Sequence, residues 1–570
     1  MKLDEDLRSI QQARELVLRA REAWDRYAHF TQEQVDAIVG AAARAASKAS
    51  YDLARLAVEE TGFGVVEHKF IKNKFAAEDV YRFIRDMKTV GIIREIPETK
   101  VIEIAEPVGV IAAVVPSTNP TSTAIYKVLI ALKSRNAIVL SPHPAARNCI
   151  RETSEIMKRA AAAAGAPDGV VDCMTEVSLE GTRELMSHRR TSVVLATGGM
   201  GLVRAAYSSG KPAFGVGPGN VPAYIESTAD VARAVRDVLT GKSYDNGTLC
   251  CSEQALICDR AIEPAVRQAV VEEGGFFLDS NQIDLVSKVA VLPSRLANPE
   301  IVGKSAAFIA RKAGFDVPET TRVLVAELGG VGRDYPLSIE KLAPILAFYV
   351  VGDWKEGCER AKEILRYGGM GHTLAIHSTD DKVIRQFALE KPAFRIVANS
   401  TATHGAVGFS TGLSPAMTLG CGAHGGNITS DNITPMHLIN IKRLAYGIRP
   451  VDIGMALEAY GYPGERTVPE SVRREAYTSK NLEQRISRFL EVRGLPARAR
   501  GESPAPREVS SLEGIEAAPT PPPVAALEFV SEEDVRSALS EGRKLPVGAG
   551  TVITPSAREL GNENNVFLRV

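Results

Sequence analysis

The string SYDNGTLCCSEQ, at 243–254, sets two adjacent cysteines behind a short Gly-containing turn. A cysteine after such a turn can present its sulfur to a cleft as a nucleophile. The reactive form is the thiolate, and a free thiol, with pKa about 8.5, needs positive or dipolar surroundings to form it near neutral pH. The same pattern also suits a small buried apolar residue, so this string alone leaves Cys250 open between the two readings.

Three other strings could serve such a nucleophile. VVPSTNPTST (114–123) follows a β-type run and opens a helical one, so its backbone N–H groups and the Asn119 amide can donate to a ligand oxygen. ATGGMGLVRAAYSSGKPAFGVGPGN (196–220) places Gly198, Gly199 and Gly201 at a strand-to-helix turn. Such a turn permits close backbone approach to a dinucleotide, although it also occurs as a plain tight connection. SIEKLAPILAFY (338–349) sets Glu340 at the start of a strand, or alternatively in a solvated loop.

The elements that must position these residues follow from periodicity. Leu7, Ile10, Val17 and Trp24 recur at helical spacing, and Thr31 with Gln34 fits a capping box opening a second helix from 32 to about 60. Gly62 and Gly64 then stop it. From about 100, short β-rich runs (VGVIAAVV, NAIVLS, GVVDCM, SVVLAT, VPAYIE) alternate with helical ones, which predicts a parallel, doubly wound sheet with ligands at its C-terminal strand ends. A second α/β set follows Cys250, with ALICD, VAVLP, RVLVAEL, LAFYVV, TLAIHS and RIVANS as strands. No internal repeat is evident.

Composition narrows the class. The chain has 570 residues, 45% hydrophobic and 24% charged, which is ordinary for a globular enzyme of several domains. Lys plus Arg (68) balances Asp plus Glu (69), so no global electrostatic case exists for nucleic acid or an acidic membrane. The 7 cysteines form no CxxC pair and the 9 histidines show no ligand spacing, so neither disulfides nor a metal are expected. The charged N-terminus argues against export, and the longest apolar run is too short to span a bilayer.

Taken together, EETGFGVVEHKFIKNKF (59–75), VVPSTNPTSTAIYK, VLSPHP, TGGMGLVRAAYSSGKP, YDNGTLCCSEQ, EKLAP, GGMGHT and MTLGCGAHGGN resemble one family, the CoA-acylating aldehyde dehydrogenases, over about residues 10–450. The likeness is to the aldehyde-oxidising half of bifunctional aldehyde-alcohol dehydrogenases and to enzymes of bacterial microcompartments. It implies an α/β, aldehyde dehydrogenase-like fold: an NAD-binding domain over 1–245, a catalytic domain over 246–432, and an oligomerisation arm at 433–450 that works with a hairpin near 97–108. It also implies a homo-oligomer built by strand exchange.

The resemblance carries roles as well. Cys250 matches the nucleophile. Asn119, with the backbone N–H of the nucleophile, matches the oxyanion donor. Val114, Val115, Pro116, Ser117, Thr118, Asn119, Gly199, Gly217, Glu340 and Leu419 match positions lining the nicotinamide dinucleotide, expected to be NAD. His372 matches a histidine that handles the proton of the incoming thiol. Coenzyme A is the implied co-substrate and a short aldehyde the implied substrate. Hydrolytic relatives carry a glutamate where this chain has Gly215, so the acyl group is expected to leave on CoA rather than water. Cys251 is expected to pack, pointing away from Cys250 on an extended backbone.

Beyond 450, a helical extension (451–495) leads to a Pro-rich linker (496–525) holding seven of the 31 prolines, and then to a tail (526–570). Leu482, Ile486, Phe489 and Leu490 share one apolar face, and Ser531 with Asp534 can cap a helix carrying Val535, Ala538 and Leu539. The tail is similar to encapsulation segments of microcompartment enzymes, implying a flexible extension that docks a shell or partner enzyme, and a cytoplasmic, microcompartment-lumen location. The alternatives are a hydrolytic dehydrogenase giving a carboxylic acid, and a catalytically silent scaffold.

Overall fold

The computed structural model describes residues 4–449, 451–461, 527–548, 550–564 and 566–569. The predicted helix at 482–494 and the Pro-rich linker lie outside the described residues. The chain forms two units, Met1–Val451 and Asp452–Val570.

The first unit opens with helices α1 (Glu5–Tyr27), α2 (Gln32–Lys48), α3 (Ser50–Thr61), α4 (Val66–Lys74) and α5 (Val80–Ile84). The Thr31–Gln34 capping box forms, but the helix it starts ends at Lys48, and a second one begins at Ser50. Gly62 terminates α3 at φ 66°, a left-handed value that suits a residue without a side chain.

Three sheets follow. Strands β1 (Gly91–Ile96) and β2 (Val101–Pro107) form an antiparallel hairpin. Strands β3 (Val110–Val115), β4 (Ala137–Pro142), β5 (Val171–Cys173), β6 (Thr191–Thr197) and β7 (Ala213–Val216) form a five-stranded parallel sheet in the order β5-β4-β3-β6-β7. The chain moves outward from β3 in one direction and returns to β6 on the other side. This leaves a switch point between β3 and β6, where a crevice opens at the C-terminal strand ends. Helix α6 (Pro120–Lys133) crosses from β3 to β4 and is buried on every side, its apolar middle packing all round and its Thr121, Ser122, Thr123, Lys127 and Lys133 buried with it. Its Lys127 ammonium bridges the two switch-point strands, donating to the carbonyls of Val114 (2.7 Å) and Leu195 (2.9 Å).

Strands β8 (Val221–Ile225), β9 (Glu253–Asp259), β10 (Gly275–Phe277), β11 (Val323–Glu327), β12 (Ile345–Val351), β13 (Gly371–His377) and β14 (Ala393–Ala398) build a seven-stranded sheet, all parallel, in the order β10-β11-β12-β9-β8-β13-β14. Two readings of the sequence are corrected here. VPAYIE, expected in the first sheet, pairs with β9 and β13, so the chain changes sheets between Val216 and Val221 rather than near 245. VAVLP (289–293) is the end of a helix (Ser280–Ala290) and a loop. Strand β15 (Ile439–Ala445) pairs antiparallel with β2, from Ile439↔Pro107 to Ala445↔Val101, completing the third sheet as β1-β2-β15. Its residues are largely exposed.

The second unit holds a small fold of its own. Strand β16 (Phe529–Val530), a helix (Glu532–Glu541) and β17 (Leu545–Val547) are followed by β18 (Val552–Ile553), a helix (Pro555–Glu563) and β19 (Phe567–Arg569). Strands β16 and β18 pair in parallel, as do β17 and β19. This is a β–α–β unit used twice, a repeat the sequence did not reveal. Val530, Val535, Ala538, Leu545, Val547, Ala557 and Val566 form its core. The predicted Ser531–Asp534 capping box is present and the helix carries Val535, Ala538 and Leu539, the first two buried and Leu539 38% exposed.

Candidate active site

The loop before Cys250 has an unusual backbone. Asp245, Asn246 and Gly247 all have positive φ (49°, 53° and 75°), a left-handed run that Asp, Asn and Gly tolerate best. It folds the chain back so that Asp245 is wholly buried while Cys250 stands half-buried in the cleft wall. The Asp245 carboxylate accepts hydrogen bonds from the Val65 N–H (2.8 Å), the Thr248 hydroxyl (2.7 Å), Lys69 Nζ (3.0 Å) and Lys72 Nζ. Its own N–H donates to His68 Nδ1 at 2.8 Å. Burial works against the carboxylate charge, but the Lys72 and Lys69 ammonium groups outweigh it and hold the pKa at about 2. Gly64 lies so close that a Cβ there would sit 2.0 Å from Asp245 Oδ1.

Asn119 is the N-cap of α6, followed by Pro120 at the first helical position. Its Oδ1 accepts from Lys72 Nζ at 2.5 Å. Its Nδ2 donates to the Thr248 carbonyl at 3.2 Å and to Thr118 Oγ1 at 3.3 Å. The predicted oxyanion donor and the predicted nucleophile are thus joined through Thr248, two residues before Cys250.

Residues Val114–Asn119, Gly199, Gly217, Cys250, Glu340 and Leu419 line one cleft together. The cleft runs along the ends of β3, β4 and β6, where His143, Ser178 and Gly198 also contribute. A Cβ at Gly199 or Gly201 would meet nothing, so the turn leaves open space beside the N-terminus of the helix Met200–Tyr207. Glu340 departs from both readings of the sequence. It lies in the loop before β12, not at a strand start, and it is half-buried with Oε1 accepting from the Gly219 N–H at 2.8 Å. Burial raises its pKa to about 7.

His372 is the predicted residue that does not line the cleft. It sits on β13, fully buried, with Nδ1 3.0 Å from Thr373 Oγ1 and Nε2 without a hydrogen-bond partner among the described residues. It stands beside the Cys250 thiol: the Cys251 sulfur and burial push that thiol well above its ordinary value, and His372 pulls it down. Gly219 runs between the two, 2.0 Å from the Cys250 carbonyl oxygen and 3.1 Å from His372 Nδ1 at the position a Cβ would take.

Cys251 is fully buried, its thiol donating to the Thr403 carbonyl at 3.3 Å. The two cysteines lie in a turn, not on the extended backbone expected; both border the cleft, but only Cys250 is partly exposed. Cys149, Cys173, Cys258, Cys358 and Cys421 are buried. Among the described residues no three His, Cys, Asp or Glu side chains gather as a metal site, and no helix is long and apolar enough to cross a membrane.

The sequence reading missed Lys69, Lys72 and Asp245. Their signal was present in the Lys-x-x-Lys of FGVVEHKFIKNKF and the Asp of SYDNG, but the contacts join positions more than 170 residues apart. It also missed a small chamber lined by Ile71, Phe75 and Phe409 with Lys72, Tyr244, Thr403 and His404, which shares Leu249, Val407 and Met417 with the cleft.

Comparison with known proteins places this geometry. Residues 7–274 match the model of the aldehyde dehydrogenase family. The chain is 45% identical over 435 residues to the bifunctional aldehyde-alcohol dehydrogenase AdhE of Escherichia coli, covering 75% of this chain and 49% of that protein. It thus spans about half the length of the curated relatives it matches first. An acetylating aldehyde dehydrogenase from Geobacillus thermoglucosidasius superposes with a TM-score of 0.78 at 50% identity, over 79% of this chain and 100% of that one. A propionaldehyde dehydrogenase from the fucose utilisation bacterial microcompartment of Clostridium phytofermentans gives 0.69 at 27%, over 77% and 98%. A cysteine in a cleft at the switch point of a doubly wound sheet, matched across whole relatives at this identity, means that the chain belongs to the aldehyde dehydrogenase family.

Proposed function

We propose that the chain is a CoA-acylating aldehyde dehydrogenase, converting an aldehyde, NAD and CoA to acyl-CoA, NADH and a proton. One observation carries this reading. Glu340 is the only carboxylate among the described residues lining the cleft, and it is already engaged by the Gly219 N–H. At Gly215, where hydrolytic relatives place a glutamate, a Cβ would stand 2.8 Å from Val203 Cγ1 and 3.0 Å from Tyr207 Cε2, leaving no room for a side chain. With no carboxylate placed to deprotonate water, an acyl thioester on Cys250 persists until a thiol displaces it.

The residues divide the work as follows. Cys250 Sγ adds to the aldehyde carbon, its proton passing to His372, whose buried Nε2 has no other partner among the described residues. Asn119 Nδ2 donates to the oxygen as it gains charge, a contribution of about 3–4 kcal/mol in comparable sites. A nicotinamide dinucleotide, when bound, supplies the hydride acceptor. The open Gly199–Gly201 turn, the β3 end at 114–119, Gly217, Leu419 and Glu340 are the residues that would hold it. Loss of hydride from the Cys250 adduct leaves the thioester; the proton on His372 passes to solvent as the proton product, and His372 is then placed to take the proton of the incoming CoA thiol and return it to the departing Cys250 thiolate.

The small size of the chamber, lined by Leu249, Val407, Met417, Ile71, Phe75 and Phe409 together with Lys72, Tyr244, Thr403 and His404, supports a short aldehyde such as acetaldehyde or propionaldehyde. The exposed β1-β2-β15 sheet supports a homo-oligomer formed by strand exchange. Docking of the tail to a microcompartment shell or partner enzyme is part of the same proposal, but Val535 and Ala538 of its helix are taken up by the tail's own core, so such docking would use another face.

The test is NADH formation from propionaldehyde and NAD, with and without CoA, with the product identified by mass. Propionyl-CoA formed only with CoA is expected. Propionate formed without CoA would replace this reading with a hydrolytic one, and failure of a panel of aldehydes would favour the scaffold.

A further inference from the structure

The helix α4 carries two lysines one turn apart, Lys69 and Lys72, both buried and both on the Asp245 carboxylate. Each also reaches the loop after β3. Lys69 Nζ donates to the Thr118 backbone carbonyl at 3.0 Å, which fixes the main chain. Lys72 Nζ donates to Asn119 Oδ1 at 2.5 Å and lies 3.4 Å from Thr248 Oγ1. Lys69 thus holds backbone, whereas Lys72 holds the one side chain of that loop assigned to the reacting oxygen.

We propose that Lys72 is a positioning residue for the oxyanion amide: its ammonium sets which way the Asn119 amide faces and polarises it toward the aldehyde oxygen. The proposal rests on the acyl-transfer reading of Cys250 and Asn119. An ammonium has donors only, so Asn119 must turn its oxygen toward Lys72. Its NH2 group is then left to donate to the Thr248 carbonyl and Thr118 Oγ1, both in the cleft wall, and would exchange one of these acceptors for the aldehyde oxygen. An amide whose oxygen accepts a charged hydrogen bond is a stronger donor at its nitrogen, because chained hydrogen bonds polarise one another in a low-dielectric interior. Two lysines facing one carboxylate also leave positive charge in the buried cluster while both are protonated, close to where the oxygen becomes negative; burial brings the Lys72 pKa down to about 7, so that charge is fullest below that pH.

The experiment uses the full chain and a double-mutant cycle of Lys72→Met and Asn119→Ala, with kcat and KM measured for aldehyde, NAD and CoA. Wild-type turnover first establishes the reaction; its absence would remove the acyl-transfer reading before Lys72 is at issue. Each single variant is expected to lose about 100-fold in kcat, the size seen when one oxyanion donor is removed, with KM values within about threefold. The double variant should be no more than about threefold worse than Asn119→Ala alone, because Lys72 acts through Asn119. Losses that multiply, or a Lys72→Met enzyme within about threefold of wild type, would overturn the proposal. Dinucleotide binding followed by protein fluorescence reports the fold. Should Lys72→Met not fold, Lys72→Gln still donates to Asn119 without the charge. It should lose about tenfold in kcat by forfeiting the charge-assisted bond, and wild-type turnover would overturn the proposal.

Discussion

Gly219 passes so close to Cys250 that a Cβ on it would lie 2.0 Å from the Cys250 carbonyl oxygen. The same residue donates its N–H to Glu340, so the strand-exit segment GVGPGN touches the nucleophile, its histidine neighbour and the cleft carboxylate at one point. Gly219→Ala is therefore expected to displace Cys250 and lower kcat by at least about 100-fold, in keeping with the sensitivity of such reactions to displacements of about 1 Å. Its rate of alkylation by iodoacetamide should change in parallel. Unchanged alkylation and turnover would mean that the backbone relaxes there without moving Cys250.

The two cysteines should separate cleanly. Cys250→Ala should abolish NADH formation while leaving dinucleotide binding intact. Cys251→Ala removes a small buried group bonded to the Thr403 carbonyl and should cost about 1 kcal/mol of stability with turnover retained. Thermal melting and steady-state kinetics on both variants check this, and loss of all activity in Cys251→Ala would reverse the assignment.

Glu340 should make dinucleotide affinity depend on pH. Burial places its pKa at about 7, and hydrogen bonds from ribose hydroxyls favour the ionised carboxylate. Affinity should be full above about pH 7 and weaken as pH falls through that value, when the carboxyl must give up a proton to bind. Glu340→Gln should bind more weakly and flatten the profile. Fluorescence titration of NADH from pH 5.5 to 8.5 measures both, and an unchanged slope in the variant would place the titration on another group.

Deleting residues 496–570 should spare turnover in solution, because every residue placed in the active site precedes Val451. The truncated enzyme should no longer co-purify with microcompartment shells. Retained co-purification would shift docking to the helix predicted at 482–494 or to the main unit.

Much of this protein was legible as local pattern. Cys250 behind its turn, the Gly198–Gly201 turn after β6 and the Asn119–Pro120 helix start are each set by a few adjacent residues whose backbone preferences act over one turn of chain. The Thr31 and Ser531 capping boxes were legible for the same reason. What periodicity does not encode is the partner of an element. VPAYI reads as a buried strand in either sheet, and only its pairing with β9 and β13 decides which. The tail repeat escaped because its strands are two or three residues long, too short for an alternation to register. Glu340 read as a strand start or a solvated loop carboxylate, and only the Gly219 N–H, 121 residues away, shows it as a half-buried loop carboxylate with a fixed partner. The Lys69–Lys72–Asp245 cluster belongs to the same class. Sequence determined that a nucleophile, an amide and a glycine turn were available. Tertiary structure alone decided that two lysines on α4 would share one buried carboxylate with the nucleophile's loop, because groups so far apart in the chain meet only when folding packs α4 against that loop, and the cost of desolvating each charge is offset only by the others.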